Sequence, residues 1–145
     1  MTRAIFVDTS AFHALQNKSQ RREHALARTA AQELESEPAL LVTTDYVLDE
    51  TYTLLRLTLG HGAAVQFGRE IRHGGIQIVQ VDDLIQREAW QIFERYSDKD
   101  FSFTDCTSFA TMRRGRIAHA FTLDRHFQQY GFSTYPRRLV LRSRK

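Results

Sequence analysis

The stretch AIFVD, residues 4–8, decides the fold class, because four apolar residues run without a break into a single carboxylate, Asp8. An uninterrupted, mostly β-favouring apolar run predicts a strand that is buried on both faces of a parallel sheet. Comparable runs predict further strands at ALLVTT (39–44), IQIVQV (76–81), IAHAFTL (117–123) and around FSTYP (132–136). The chain therefore carries about five candidate strands.

Helical patterns fill the intervals between these runs. The predicted helices cover about 20–35, a segment holding YVLDETYTLLRLTL (46–59), about 63–72, a segment starting at Asp82, a segment opening at about 102–104, and a short segment after Asp124. Thr43, Thr44 or Asp45 is expected to cap the second of these. This alternation favours a single α/β domain, 1–145, with a mainly parallel sheet of about five strands flanked by helices and a basic tail at about 137–145.

Composition excludes several classes of protein. With 145 residues, 42% of them hydrophobic and 26% charged, the chain has the composition of an ordinary folded globule. Its one cysteine, Cys106, rules out an internal disulfide and a multi-cysteine metal site. Asp8 interrupts the N-terminal apolar run too early for a signal peptide, and no later stretch is long enough to span a membrane. We therefore expect a cytoplasmic protein without membrane association.

The segment FSFTDCTSF, residues 101–109, places Asp105 in what should be the first turn of a helix. Ser102 or Thr104 is expected to cap that helix, and a carboxylate near its N-terminus favours the helix dipole. Helical spacing nevertheless puts Asp105 on the same face as Phe109 and Met112, which should be buried. A carboxylate buried with them is costly unless a cation neutralises it, so Asp105 is a candidate metal ligand.

Three more acids are expected at the same edge of the sheet. Asp8 and Asp124 come directly after predicted strands, and Glu50 lies, like Asp105, in an early turn of a helix that should start at the carboxyl edge. In open α/β sheets, ligands bind beyond the carboxyl ends of the strands. The four carboxylates are therefore predicted to converge there.

The choice of Glu50 rests on helix phase. At about 100° per residue the apolar arc of its helix centres near Thr51, so Glu50 falls on the border of that arc. Asp49 lies nearly opposite the arc and is predicted to face solvent. Glu50 is therefore the candidate from this helix.

A cluster of carboxylates needs a cation to hold it together. Two like charges about 4 Å apart repel by roughly 4 kcal/mol at an effective dielectric of about 20. Carboxylate oxygens without thiol partners suit Mg²⁺ or Mn²⁺, and the six histidines lack zinc-like spacing. Such an ion supports phosphodiester hydrolysis, and Arg113, Arg114 and Arg116 are candidates for holding the substrate backbone. Simple solvation of these arginines is an equally open interpretation.

Four segments in order resemble the PIN-domain family of metal-dependent nucleases, most closely its VapC-type toxins from prokaryotic toxin–antitoxin pairs. They are FVDTSAF, TTDYVLDETYTLL, FSFTDCTSFATMRR and AFTLDRHF, and the resemblance covers nearly the whole chain. It places the family's acidic quartet, as metal ligands and catalytic residues, on Asp8, Glu50, Asp105 and Asp124. None of the four is substituted.

The resemblance also implies properties that residue patterns do not give. These are a five-stranded parallel sheet between helices, dependence on Mg²⁺ or Mn²⁺, RNA as substrate, a homodimer, and a VapB-like antitoxin as partner. The implied reaction is attack on phosphorus by metal-activated water, which leaves a 5′-phosphate and a 3′-hydroxyl.

Each polar residue near the acids also has an ordinary structural interpretation. Taken singly, Asp8 is a strand-end turn residue, and Asp105 and Asp124 are helix caps. His119 and His126 are interpreted as structural or surface imidazoles. Several hydroxyl residues flank the acids and either steady them or make local turn bonds. They are Thr9, Ser10, Thr104 and Thr122.

Other functions fit parts of the sequence. A phosphatase of the haloacid dehalogenase type also begins with an Asp after an apolar strand, but its second Asp two residues on is replaced here by Ser10. A non-catalytic module that uses its acids to dock a basic protein tail stays open. So does an RNA-processing nuclease without an antitoxin.

Overall fold

The structure, a computed structural model, describes residues 3–137. Along these residues five strands are separated by helices. The strands are β1 (Arg3–Val7), β2 (Ala39–Thr44), β3 (Gln77–Val79), β4 (His119–Phe121) and β5 (Ser133–Tyr135). The helices are α1 (Thr9–Gln16), α2 (Arg21–Glu35), α3 (Asp45–Leu59), α4 (His61–His73), α5 (Asp83–Arg95), α6 (Phe103–Arg114) and α7 (His126–Tyr130).

The five strands form one parallel sheet in the order β3-β2-β1-β4-β5. The predicted α/β class and the parallel sheet of about five strands are confirmed. Parallel neighbours need long crossover connections, and the helix pairs α1 and α2, α3 and α4, and α5 and α6 supply three of them. The chain passes from β1 through β2 to β3 at one edge and then returns to β4 on the other side of β1.

The central strand β1 is buried as its apolar run predicts. Ile5 and Phe6 are 0% exposed and Val7 is 2% exposed. The ring of Phe6 lies 6.2 Å from that of Phe127 on α7, which packs edge-on against Phe109 of α6 at 5.0 Å. Burying a large apolar side chain contributes about 1.5–3 kcal/mol. This packing holds α6 and α7 against β1, the strand that Asp8 directly follows.

The structure contains one helix that the sequence did not predict. The first predicted helix, starting near residue 20, corresponds to α2, but α1 lies before it and begins at Thr9, directly after β1. Asp8 is the N-cap of α1, and its side chain accepts a hydrogen bond from the backbone N–H of Ser10. With 8 residues, α1 is too short for helical periodicity to be clear in the sequence. Asp8 therefore caps α1 and directly follows β1.

Two strands are shorter than their apolar runs. β3 covers Gln77–Val79 of IQIVQV and lies at the edge of the sheet, where it pairs with β2. β4 covers His119–Phe121 of IAHAFTL. Asp124 consequently does not follow the strand directly, because Thr122 and Leu123 lie between them. It lies instead in the loop that leads to α7.

Two predicted helix caps are confirmed. The hydroxyl oxygen of Thr44 caps α3 by accepting a hydrogen bond from the N–H of Val47 at 3.0 Å. The hydroxyl oxygen of Ser102 caps α6 by accepting one from the N–H of Asp105 at 2.9 Å. Thr104, the alternative cap, lies inside the first turn of α6. Each cap fixes the start of a helix that carries a candidate acid, Glu50 on α3 and Asp105 on α6.

The predicted basic tail, about 137–145, lies outside the described residues apart from Arg137. The extent of the domain over 1–145 stays a prediction. Within residues 3–137, none of the helices has the length and apolar content that crossing a membrane requires.

Candidate active site

The candidate site lies where the connections of the sheet change direction. β1 connects to β2 on one side, and the chain later returns to β4 on the other. The backbone N–H of Asp8 donates to the carbonyl of Phe121 at 3.0 Å, which extends the contact between β1 and β4. Crevices at such positions are where open α/β sheets bind ligands.

Asp8 is buried, and hydrogen bonds to its Oδ2 fix its orientation. This oxygen accepts from the hydroxyl of Ser10 at 2.8 Å and from the N–H of Ser10 at 3.4 Å. It also accepts from the hydroxyl of Thr122 at 3.0 Å. Two of the hydroxyl residues that flank the acids in sequence therefore steady one of them.

Ser10 and Thr122 also tie α1 to the loop after β4. Their hydroxyl oxygens lie 3.1 Å apart. The oxygen of Ser10 accepts from the N–H of Leu123 at 2.9 Å, and the oxygen of Thr122 accepts from the N–H of Asp124 at 3.0 Å. The loop that carries Asp124 is thus held directly against the cap of α1.

Asp105 reaches the site from the N-terminus of α6. Its Oδ2 accepts from the backbone N–H of Ser102 at 3.1 Å, which completes a capping box, and from Nδ1 of His126 at 2.7 Å. The residue is 7% exposed. Helix capping and membership of the site are therefore compatible roles for this acid.

Asp124 meets Asp105 at His126. Oδ1 of Asp124 accepts from the backbone N–H of His126 at 2.9 Å and lies 3.2 Å from its Nδ1. One potential ligand atom from each of the three residues lies within 4.8 Å of the others. Two of the predicted acids and one histidine thus form a compact group.

His126 belongs to the site, although its sequence position suggested a structural or surface imidazole. Its backbone N–H donates to the side chain of Asp124, two positions earlier. The sequence DRH at the start of a helix was therefore the signal that could have placed His126 beside this acid. The bond from His126 to Asp105 joins residues 21 positions apart and has no local signal. His119, by contrast, lies on β4 with its ring 5.8 Å from that of Tyr135, as expected of a structural imidazole.

Burial and repulsion from neighbouring carboxylates raise the proton affinity of two of these acids, Asp8 and Asp105. Burial, and then the charges of Asp105 and Asp124, raise the pKa of Asp8 from 3.8 to about 7, although hydrogen bonds to its carboxylate act in the opposite direction. Burial, and then the charge of Asp124, likewise raise the pKa of Asp105, while its hydrogen bonds lower it. The charges of Asp105 and Asp124 therefore act on Asp8, and that of Asp124 acts on Asp105.

The donor set fits a hard divalent cation. Carboxylate oxygens dominate it, and hard oxygen ligands suit Mg²⁺ or Mn²⁺. The buried negative charge needs compensation, which a dication supplies. Burial, and then the charge of Asp105, raise the pKa of the Cys106 thiol to about 12, so this residue does not supply a thiolate ligand.

Glu50 reaches the edge of this group through Thr9. The hydroxyl of Thr9, the neighbour of Asp8, lies 3.0 Å from Oε1 of Glu50 and donates to it. The hydroxyl of Thr51 in turn donates to Thr9 at 3.0 Å. Glu50 and Asp49 are both exposed, as predicted for Asp49. The structure therefore brings Asp8, Asp105 and Asp124 together. Glu50 is connected to them only through its hydrogen bond with Thr9, the neighbour of Asp8.

The arginines proposed from sequence to hold substrate lie at the other end of α6 from Asp105. Arg113 is two helical turns away, about 12 Å along the helix axis. Its Nη1 donates to the hydroxyl of Tyr130 at 3.0 Å. Nη1 of Arg114 pairs with Glu88 at 3.3 Å. These arginines therefore lie outside the group of acids. A substrate that contacts both would have to extend from the acids to the far end of α6. The arginines are Arg113, Arg114 and Arg116.

Residues 5–133 match the family model of the PIN domain. The chain belongs to the PIN domain family. This confirms the resemblance seen in the four motifs, and the fold is that of a single PIN-like α/β domain. Nucleases of this family depend on a divalent metal, in agreement with the acidic group at the carboxyl edge.

A curated relative shares a third of the sequence. The 23S rRNA-specific endonuclease VapC20 of Mycobacterium tuberculosis is 36% identical over 128 residues, which cover 88% of this chain and 95% of the relative. The crystal structure of VapC20, described as a sarcin-ricin loop cleaving toxin, superposes with a TM-score of 0.80 at 35% identity over the same shares. The VapC-type resemblance is therefore confirmed at the levels of sequence and fold.

Two more distant structures share the fold. FitAcB from Neisseria gonorrhoeae superposes with a TM-score of 0.66 at 13% identity, covering 90% of this chain and 96% of that one. VapBC2 from Rickettsia felis, solved with a DNA fragment from its promoter, gives a TM-score of 0.64 at 9% identity, covering 88% and 92%. At these identities the likeness concerns the arrangement of strands and helices.

Proposed function

We propose that this chain is an endoribonuclease that cleaves RNA phosphodiester bonds with Mg²⁺ or Mn²⁺, and that it acts as the toxin of a VapBC-type pair. One observation carries the proposal. Carboxylates from three separate parts of the chain, Asp8, Asp105 and Asp124, meet beyond the carboxyl ends of β1 and β4. The 36% identity with an endonuclease of this kind supports it.

In this proposal the three acids hold the cation and Glu50 completes the quartet from the solvent side. When bound, a divalent cation activates the attacking water and offsets the negative charge that develops on the phosphate. Glu50 is exposed and accepts a hydrogen bond from Thr9, so its carboxylate is oriented without being buried. It is placed to accept a hydrogen bond from water on the open side of the site.

The neighbours of the acids keep the site in one arrangement before substrate arrives. Ser10 and Thr122 hold Oδ2 of Asp8. The capping box holds Oδ2 of Asp105 at the start of α6. A site that is already ordered loses less free energy in reorganising when the cation and the phosphate bind.

The substrate class we propose is a loop of ribosomal RNA. VapC20, which is described as a 23S rRNA-specific endonuclease and as a sarcin-ricin loop cleaving toxin, supports this class through its similarity over most of the chain. Carboxylates alone repel a phosphate backbone, so basic side chains must contribute to binding. Arg113, Arg114 and Arg116 are the proposed contacts, and the net charge of +3 is consistent with an RNA partner.

We also propose two protein partners, a VapB-like antitoxin and a second copy of the chain. The antitoxin follows from the proposed toxin role. The second copy is supported by Trp90 and Phe93 on α5, which are 54% and 42% exposed and have ring centroids 5.7 Å apart. Adjacent exposed aromatic side chains are typical of protein–protein contacts. A cytoplasmic location belongs to the same proposal, since ribosomal RNA is found there.

The test is cleavage of ribosomes and of total RNA by purified protein with Mg²⁺ or Mn²⁺, followed by mapping of the new 5′ ends. Discrete 5′-phosphate ends in 23S rRNA are expected. They should be absent with a chelator and with Asp105→Asn. Cleavage that survives both treatments would overturn the proposed site, and an RNA that is bound but never cut would favour the non-catalytic binding module.

The toxin role has a separate test. Expression of the chain alone should arrest growth, and expression of Asp105→Asn should not. A short neighbouring gene that encodes a DNA-binding protein should relieve the arrest, and its product should co-purify with the chain. Cleavage without growth arrest or such a gene would favour an RNA-processing nuclease.

A further inference from the structure

His126 contacts two acids of the site at once. Its Nδ1 lies 2.7 Å from Oδ2 of Asp105 and 3.2 Å from Oδ1 of Asp124. Its backbone N–H donates to the same oxygen of Asp124 at 2.9 Å. One residue therefore supplies two donor groups to two carboxylates that come from different elements of the fold.

The chemistry of the acceptors determines the state of the ring. An ionised carboxylate offers only acceptor oxygens, so Nδ1 must carry a hydrogen to bond to Asp105. Nδ1 then has no lone pair for a metal ion. In this arrangement Nδ1 acts on the cation through the two carboxylates, and ligation by the ring would require its other nitrogen, Nε2.

Packing holds the imidazole in this orientation. The ring lies edge-on against Phe101, with centroids 5.5 Å apart and planes at 78°. Its side chain is 25% exposed. Phe101 is itself 6% exposed and packs against Phe109 of α6 at 5.0 Å. The same aromatic packing that anchors α6 therefore fixes the position of Nδ1.

We propose that His126 is a positioning residue, which sets the separation and orientation of the Asp105 and Asp124 carboxylates so that both face one divalent cation. This inference rests on the proposed function, because it concerns the metal that the nuclease would use. Polar neighbours that orient metal ligands typically change metal affinity by about 10–100-fold when removed. His126 has the contacts to act in this way on two ligands together.

Two substitutions separate the hydrogen bond from the packing. His126→Phe keeps a ring against Phe101 and the backbone N–H to Asp124, but removes the Nδ1 donor. His126→Asn places an amide N–H close to the position of Nδ1 and so retains a donor to Asp105, while an amide nitrogen is a poor metal ligand. His119→Phe, at the imidazole on β4, is the matched control.

The measurement is the Kd for Mn²⁺ by isothermal titration calorimetry without RNA, with the circular dichroism spectrum as a check on folding. We expect His126→Phe to raise the Kd by about 10–100-fold, with His126→Asn and His119→Phe staying within about threefold of the parent chain. Saturating Mn²⁺ should restore much of the RNA cleavage of His126→Phe.

Two results would overturn the positioning role. An unchanged Kd in a folded His126→Phe means that the hydrogen bond does not order the ligands. A His126→Asn that binds as weakly as His126→Phe means that the imidazole itself ligates the metal. If the parent chain binds Mn²⁺ but cleaves no RNA, the proposed function fails, and the Kd values still decide the role of His126.

Discussion

The hydroxyl of Thr122 donates to Oδ2 of Asp8 at 3.0 Å, across 114 positions of sequence. Thr122 follows β4 directly and Asp8 follows β1 directly, so this bond joins two adjacent strands at the carboxyl edge of the sheet. The same hydroxyl oxygen accepts from the N–H of Asp124. Thr122 therefore places the first and fourth acids of the proposed quartet relative to one another.

The first prediction concerns opposite effects of Asp8→Asn on activity and stability. Asn keeps an acceptor for Ser10 and Thr122 but removes a buried charge, so the metal-free variant at pH 8 should be more stable than the parent chain. A gain of about 1 kcal/mol would raise Tm by roughly 4 °C. RNA cleavage should fall by at least the roughly 10–100-fold that losing a polar neighbour of a metal ligand costs, because Asp8 is itself a proposed ligand. Calorimetry and a cleavage assay measure the two effects, and a lower Tm for the variant would contradict this account of the buried charge.

The acids were predictable because two general rules act together. Apolar runs identify buried strands, and parallel strands bring the residues at their carboxyl ends to one edge of the sheet. The early-turn acid Asp105 was predictable from helical spacing, which put it on the face of the buried Phe109 and Met112. These rules need only local sequence, so they located three acids that the structure brings together.

Features that depend on contacts between distant parts of the chain were not predictable in the same way. α1 was missed because its cap, Asp8, has a second role and because eight residues show little periodicity. The contact of His126 with Asp105 depends on how α7 packs on α6, which no local pattern encodes. Asp124 lies farther from its strand than the sequence predicted, because β4 already ends at Phe121, opposite Tyr135 at the end of β5.

The second prediction is that metal-free protein loses stability as pH rises. The pKa of Asp8 is about 7 in the folded chain against 3.8 ordinarily. Between these values the folded chain holds a proton that the unfolded chain has released, so the free energy of unfolding falls from about pH 4 to about pH 7. Divalent cations compete with that proton, so the rise in Tm on adding Mn²⁺ should grow over the same range.

Thermal melts of the parent chain and of Asp8→Asn, each with Mn²⁺ and with a chelator, test this second prediction. Chelation should lower Tm of the parent chain most at high pH. The slope of Tm against pH should be smaller in Asp8→Asn. An identical slope in the two metal-free proteins would show that Asp8 is not the group responsible.

The third prediction distinguishes Glu50 from its neighbour Asp49. Both side chains are exposed and both carry one negative charge, but Glu50 is bonded to Thr9 beside Asp8. Glu50→Gln should lower cleavage by about 10-fold or more, with little change in Tm because the amide oxygen can still accept from Thr9. Asp49→Asn should cleave within about twofold of the parent chain. Equal losses in the two variants would remove Glu50 from the proposed quartet.

The fourth prediction concerns the arginines at the end of α6. RNA binding should weaken when any one of these arginines is replaced by Gln in a chain that also carries Asp105→Asn, which prevents cleavage. The three substitutions are Arg113→Gln, Arg114→Gln and Arg116→Gln. The slope of log affinity against log salt should become shallower by about 0.7 for each phosphate that is no longer neutralised. Arg28→Gln, an exposed arginine on α2, provides the same change of charge as a control. Slopes equal to that of the control would assign the three arginines to solvation.

The fifth prediction concerns the exposed aromatic pair on α5. Trp90 and Phe93 lie next to one another, and Phe93 also packs edge-on against Phe103 at the start of α6, with centroids 5.9 Å apart. If a second copy covers this surface, the parent chain should have a mass in solution about twice its 16.9 kDa. The double variant Trp90→Ser, Phe93→Ser should then run as the monomer, because it removes most of the apolar contact area. Light scattering coupled to size exclusion measures both masses.

Leu57 on α3 provides the control for this fifth prediction, since it is 78% exposed and also apolar. Leu57→Ser should leave the mass unchanged. A dimer that persists in the double variant would place the contact between copies elsewhere, and a parent chain that is monomeric at every concentration would exclude the second copy as the partner of this surface. Because Phe103 is two residues from Asp105, a dimer formed here would also bring a second copy close to the acidic site.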